Sequence, residues 1–184
     1  LDENKNFIPN YFIHPFQQKI SRSNLQKQIF NKLKDIKPSG DFFPRCIWGA
    51  PLFVDTNLIK KVGFFDSDFF LFFEDVDLCD RIIKNKFTII MTPKSYCFHF
   101  NQDYSSKSIK YLFLTSSNFI FSQLYYYDKN NKKILHFYLR GFEYFLNFII
   151  YFLKININKS LQNLFRIYGI FKFLFFKLKK KIRF

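Results

Sequence analysis

The sequence predicts an α/β fold followed by a helical, basic and aromatic C-terminal region. Between residues 46 and 100, short apolar runs alternate with apolar residues at helical spacing, which is typical of strands alternating with helices. From residue 109 the chain consists of long aromatic runs broken by Lys and Arg. Residues 1–104 carry 14 Lys/Arg and 12 Asp/Glu, whereas residues 105–184 carry 15 and 2. This asymmetry predicts two regions with different surroundings, the second next to something anionic.

The first predicted elements are a buried strand and a short helix. Residues 46–54 (CIWGAPLFV) are almost wholly apolar, which favours a buried strand. Asp55 or Thr56 can cap a helix that ends at Val62, because both side chains accept hydrogen bonds from free N–H groups of a first turn. Gly63 suits the position after the helix end, where a left-handed backbone is common.

A second helix and two further strands complete the predicted α/β layer. The helix begins at Asp75, because apolar residues recur at helical spacing as far as Ile83. Residues 87–91 (FTIIM) and 96–100 (YCFHF) have the composition of short strands. The acidic pair Glu74-Asp75, where this helix begins, would then lie at a strand end. Ligands bind at such strand ends in open α/β sheets.

The C-terminal region combines apolar length with clustered positive charge. Residues 134–153 would be long enough to span a bilayer, but they contain four polar residues that are costly at its centre: His136, Arg140, Glu143 and Asn147. We therefore expect a helix that lies on a membrane surface. Residues 165–184 join a Phe-rich face to clustered Lys, which is typical of interfacial helices bound to anionic lipid. The alternative is a helical cap packed on the domain.

An ordered series of motifs occupies residues 46–100. The series consists of Trp48-Gly49-Ala50, VGFFD at 62–66, Phe69-Phe70, EDVDLCDR at 74–81, Pro93 and His99. In order and spacing it resembles the second half of family-2 glycosyltransferases, especially the rhamnosyltransferase-like members. The resemblance implies a partial GT-A (Rossmann-like) domain within residues 1–104. It also implies inverting transfer from a nucleotide-sugar donor. The charge and aromatic pattern described above add a helical, membrane-associating region at 105–184.

The resemblance assigns the catalytic role to the acidic pair. Asp75 would be the general base, because a carboxylate within hydrogen-bond reach can take the acceptor hydroxyl's proton as the new bond forms. Glu74 would shape the acceptor pocket. From the residues alone, Asp75 is as well explained as an ordinary helix N-cap.

The remaining site residues also follow from the resemblance. His99 matches a position that completes a site for a divalent metal, Mn or Mg, whose main ligands belong to the half of the enzyme missing from this chain. The alternative for His99 is a strand histidine with a satisfied ring. Trp48 and Gly49 would contact the acceptor, with the indole stacking on a sugar. Core packing explains Trp48 equally well.

The expected function is that of part of an enzyme. Residues 1–45 are too short for the nucleotide-binding unit and lack its signals, so we expect the chain alone to be inactive. The expected partners are a nucleotide-sugar, a glycan or lipid-linked acceptor, and an anionic membrane surface contacted by residues 134–184; no nucleic acid is expected. The expected location is the inner face of the cytoplasmic membrane, as a peripheral protein. A non-catalytic membrane-binding remnant and one half of a split enzyme are the alternatives.

Overall fold

The computed structural model describes residues 11–12, 40–47, 52–92, 94–95 and 108–182. Helix makes up 66% of them. The elements in chain order are β1 (Tyr11–Phe12), β2 (Cys46–Ile47), α1 (Thr56–Val62), α2 (Glu74–Lys84), α3 (Ile109–Lys129), α4 (Leu135–Leu153) and α5 (Ile157–Ile182).

The predicted α/β, GT-A (Rossmann-like) fold class is wrong, because the described residues are mostly helical and hold no layered sheet. β1 and β2 pair antiparallel over two residues each. The predicted strand at 87–91 contributes only one bridge, in which Phe42 and Met91 exchange backbone hydrogen bonds of 3.0 and 2.9 Å. A short apolar run does not by itself specify a strand, since a strand also needs a hydrogen-bonded neighbour along its length. The strand predicted at 96–100 lies outside the described residues.

The chain divides into two compact units. Unit 1 comprises residues 1–66 and 74–102, and unit 2 comprises 67–73 and 103–184. Residues 67–73, an aromatic loop from the motif region, therefore group with the C-terminal helices. Within unit 2 this loop packs by its rings: Phe69 contacts Tyr125 with ring centroids 4.8 Å apart, and Phe73 contacts Tyr126 at 5.6 Å.

Local signals specify α1 in unit 1, as predicted from the sequence. Asp55 Oδ1 accepts hydrogen bonds from the N–H groups of Asn57 (2.6 Å) and Leu58 (3.3 Å). Gly63 follows the last turn with φ +86°, a conformation that favours glycine. The predicted cap and helix end are both confirmed.

The apolar face of α2 forms the described core of unit 1. Val76, Leu78, Cys79 and Ile82 are buried. The thiols of Cys46 and Cys79 approach the carbonyl oxygen of Ile47 at 3.6 and 3.9 Å, which brings α2 against β2. Contact with Cys79, followed by burial, raises the pKa of the Cys46 thiol. Cys46 therefore behaves as a small buried apolar residue.

Three long helices build unit 2, with α5 packed against both α3 and α4. Along α3, every residue from Ile120 to Tyr127 is buried. Phe173 of α5 is buried against the ring of Phe121 on α3. At Gly169 the backbones approach so closely that an added Cβ would lie 2.5 Å from the Ser117 carbonyl oxygen.

Two hydrogen bonds join buried polar groups across the helices of unit 2, although Gln123 Oε1 is buried without a partner among the described residues. Lys172 Nζ donates to Asn118 Oδ1 at 2.7 Å, between α5 and α3. Ser160 Oγ donates to the Phe148 carbonyl at 3.1 Å, between α5 and α4. Such bonds fix helix register, because an unpaired buried polar group costs more than a typical hydrogen bond contributes. In the part of the chain described, no helix is both long enough and apolar enough to cross a membrane.

Candidate functional site: an acidic pair at a helix start

The acidic pair opens α2 directly after a strained turn. Phe72 and Phe73 have φ values of +69° and +67°, which bulky side chains rarely adopt. Each such residue costs about 1–3 kcal/mol and persists only where its surroundings enforce it. Glu74 and Asp75 then form the first two positions of the helix. The chain direction at the pair is therefore set by its surroundings rather than by local preference.

Asp75 is not the helix N-cap that the residues alone allowed. It lies inside the first turn of α2, one position after the helix begins. Its Oδ1 accepts a hydrogen bond of 2.7 Å from the N–H of Val76. This hydrogen bond fixes the position of the Asp75 carboxylate at the start of α2. The side chain is half-buried, so it keeps access to solvent.

Glu74 occupies a less polar position than Asp75. Burial, followed by the nearby charge of Asp75, raises the pKa of Glu74 above its ordinary value, although a bond with its own backbone N–H acts in the opposite direction. Its Oε2 is buried and has no hydrogen-bond partner among the described residues. The two carboxyl groups thus differ in environment, which is how neighbouring acids acquire separate roles in proton transfer.

Arg81 joins the two longest parts of the motif series. Its Nη1 donates to the carbonyl oxygens of Val62 and Gly63, both at 2.7 Å, and its Nη2 donates to that of Phe64 at 2.8 Å. Its Nε donates to Asp77 Oδ2 at 2.9 Å, which forms an ion pair one helical turn apart. The planar guanidinium is suited to this role, because it presents five donors in fixed directions. Hydrogen bonds of Arg81 therefore link the two motifs, VGFFD at 62–66 and EDVDLCDR at 74–81.

The structure places only the acidic pair among the predicted site residues. Trp48, Gly49 and His99 lie outside the described residues, so the predicted acceptor contacts and the predicted metal ligand stay predictions. Across the described ranges, no group of three or more His, Cys, Asp or Glu side chains could hold a metal ion.

Sequence reasoning missed a charged groove in unit 2. The groove has a volume of about 370 Å³ and lies between α3 and α5. Lys177 Nζ donates to Asp128 Oδ1 at 2.5 Å, and Lys180 Nζ donates to Asp68 Oδ2 at 2.7 Å. Tyr125 Oη donates to the same Asp68 oxygen at 3.1 Å. Asp128 is one of only two acidic residues after position 104. That scarcity was the feature of the sequence that could have drawn attention to Asp128 and its lysine partner.

Comparison with known proteins gave no match to this chain among family models, curated proteins or solved structures.

Proposed function

We propose that this chain is the acceptor-side part of an inverting glycosyltransferase. It would act in transfer of a sugar from a nucleotide-sugar donor to a lipid-linked glycan, as in surface polysaccharide synthesis. The proposal concerns the reaction, since the fold class that the resemblance implied has been corrected. The observation that carries it is the Arg81 cluster, because it holds two separate motifs of the resemblance in one unit with the acidic pair at its helix start.

Asp75 is the proposed general base. The acceptor hydroxyl oxygen bonds to the anomeric carbon while the bond to the leaving nucleotide breaks and its electron pair departs with the nucleotide. The hydroxyl proton passes to the Asp75 carboxylate. Glu74 would border the acceptor. Its Oε2, which is buried and has no partner among the described residues, would face a hydroxyl group of the acceptor sugar.

The donor side would belong to the nucleotide-binding half that the resemblance implies. A divalent ion, Mn or Mg, would be held there and would neutralise charge on the departing diphosphate. His99 is the residue of this chain proposed to ligate it. The described residues do not by themselves supply a group of three or more ligands for this ion.

The proposed location is the inner face of the cytoplasmic membrane, with the chain bound peripherally. Donor nucleotide-sugars are used there, and the net charge of +13 in residues 105–184 favours an anionic leaflet. The same charge also supports the second candidate, a membrane-binding role without catalysis. The two candidates differ only in whether the acidic pair is needed.

The test is sugar incorporation by membranes from source cells that express this chain in its native context. The membranes receive labelled nucleotide-sugars, and label is counted in the lipid-extractable glycan. Asp75→Asn should lower incorporation by about 10²–10⁴-fold, since that is the usual contribution of a positioned base. Asp55→Asn is the matched control and should leave incorporation unchanged, because Asn caps helices as well as Asp.

Normal incorporation by the Asp75→Asn membranes would remove Asp75 as the base. A parallel Glu74→Gln variant then decides what remains. Loss of incorporation in that variant alone would transfer the role to Glu74. Normal incorporation in both variants would leave the non-catalytic candidate.

A further inference from the structure

The outer face of α4 is composed unlike a water-facing helix surface. Its exposed residues are all large and apolar: Leu135, Leu139, Phe142, Phe145, Leu146, Ile149, Ile150, Phe152 and Leu153. The polar residues of the same helix are only half-exposed: His136, Arg140, Glu143 and Asn147. A surface helix of a water-soluble domain shows the opposite arrangement. Contiguous exposed apolar surface of this kind marks an interaction site.

A second apolar stripe runs along α5. Between its two ends, the exposed residues are Leu164, Tyr168, Phe171, Phe175 and Leu178. They recur at intervals of three and four, so they share one face of the helix. The opposite faces of α5 are occupied, since Phe173 packs on α3 and Ser160 bonds to α4.

The two stripes lie on the same side of the α4–α5 pair. Arg166 lies over the ring of Tyr144 at 5.5 Å, and Lys159 lies over that of Tyr151 at 5.3 Å. These contacts place cations along one side of the seam between the helices. Helical periodicity puts Phe145 of α4 and Phe171 of α5 on the other side of that seam. The exposed residues of both helices therefore form one surface, named here the apolar face.

The exposed charges of unit 2 identify what covers the apolar face. Among its described side chains, the exposed charged residues are all lysines: Lys110, Lys129, Lys132, Lys133, Lys154, Lys159, Lys179 and Lys180. The acidic residues described in unit 2 are less exposed: Asp68, Asp128 and Glu143. A second copy of the chain would bring a like-charged surface to this face. An anionic lipid leaflet accepts the apolar side chains and also attracts the lysines.

We propose that the apolar face of α4 and α5 is a docking surface for an anionic lipid leaflet, into which its aromatic and aliphatic side chains insert. Lys154 and Lys179, at the ends of α4 and α5, meet the headgroups. The proposal deepens the peripheral location proposed above by naming the surface and the lipid class. It stands on unit 2 alone, so vesicle binding can be kept or lost whether or not Asp75 supports sugar transfer.

The test is co-sedimentation of the 184-residue chain with phosphatidylcholine vesicles that either contain or lack phosphatidylglycerol. Truncation of α5 is unsuitable, because that helix packs on both α3 and α4. Phe142→Ser/Phe175→Ser should lower the partition coefficient by about 100-fold, about tenfold for each Phe withdrawn from lipid. The control Phe53→Ser/Phe64→Ser changes two exposed Phe residues of unit 1 and should leave partitioning unchanged.

A charge variant checks the lipid class with the apolar face intact. Lys154→Glu/Lys179→Glu should lower binding to the anionic vesicles by about fivefold or more for each residue. Added salt should also lower the binding of the wild type to these vesicles. Failure of the wild type to bind anionic vesicles would overturn the proposal, as would equal binding by the Phe142→Ser/Phe175→Ser variant with native helicity. The proposal would also be overturned if the chain forms a dimer without lipid and the same two Ser substitutions dissociate that dimer. The apolar face would then be an interface between two copies of the chain.

Discussion

Unit 1 and unit 2 are each stabilised internally by a different kind of interaction. In the described part of unit 1, short elements are joined by one side chain, Arg81, which donates to three backbone carbonyls and to Asp77. In unit 2, long helices meet through many aromatic rings and close backbone contact. Directed hydrogen bonds concentrate stability in single residues, whereas apolar packing distributes it over many. Unit 1 should therefore be sensitive to the loss of a donor, and unit 2 to a change of volume.

The largest effect is expected from Arg81→Met. The substitution keeps an apolar stem but removes every donor, and it leaves the Asp77 carboxylate, 2% exposed, without its cation. Breaking a buried pair in this way destabilises a fold by about 3–5 kcal/mol. Urea denaturation of the full chain measures the change. Lys61→Met, on the exposed side of α1, is the control and should stay within about 0.5 kcal/mol of wild type.

The volume sensitivity of unit 2 is tested at its helical glycines. Gly169→Ala places a Cβ against the Ser117 carbonyl, which is backbone and cannot swing away, so we expect a loss of about 1–3 kcal/mol. Gly141→Ala meets only the flexible end of Ile170, at 3.2 Å. It should be neutral or stabilising by up to about 1 kcal/mol, because Ala favours helix. Equal thermal stability of the two variants would contradict close helix contact at Gly169.

A polar contact in unit 2 gives a smaller effect. Lys172→Met removes the donor to Asn118, and an unsatisfied buried carbonyl costs about 1–3 kcal/mol. Part of this loss is offset, since burial lowers the pKa of Lys172 and thus already penalises its charged form. Adding Asn118→Leu should restore stability, because both polar partners are then apolar. A double-mutant cycle with no coupling between these positions would exclude the bond.

The smallest effect concerns Glu74 and depends on pH. Its pKa is raised in the folded protein, so the folded state holds this proton more tightly than the unfolded state. Stability from this group is therefore greatest at low pH and falls as pH rises from about 4.5 through the raised value. Glu74→Gln removes the ionisation, so its stability should improve relative to wild type as pH increases to neutral. Parallel stability curves for the two proteins would contradict burial of the carboxyl group.

The same contrast explains which parts of the fold the sequence could predict. Asp55 and Gly63 act within one helix turn, so the neighbouring sequence was enough to predict their roles. The apolar length of residues 134–153 predicted the helix that the structure shows as α4. The prediction of a strand at 87–91 was wrong, because strand pairing depends on distant residues that periodicity does not specify. Within the site, Asp77 and Arg81 stand at helical spacing in the sequence, but nothing local indicates the bonds of Arg81 to carbonyls 17–19 residues away. For residues 134–184 the sequence predicted contact with an anionic membrane, but it did not specify which side of each helix stays exposed, because that is a tertiary property.

Hydrogen exchange on Arg81→Met, compared with wild type, tests the contrast between the units most directly. If unit 1 depends on this one side chain, backbone amides of α1 and α2 should lose protection while those of α3 and α5 keep theirs. Uniform loss across all the helices, or unchanged protection in α1 and α2, would contradict the assignment of Arg81 as the residue that joins the two motifs around the acidic pair.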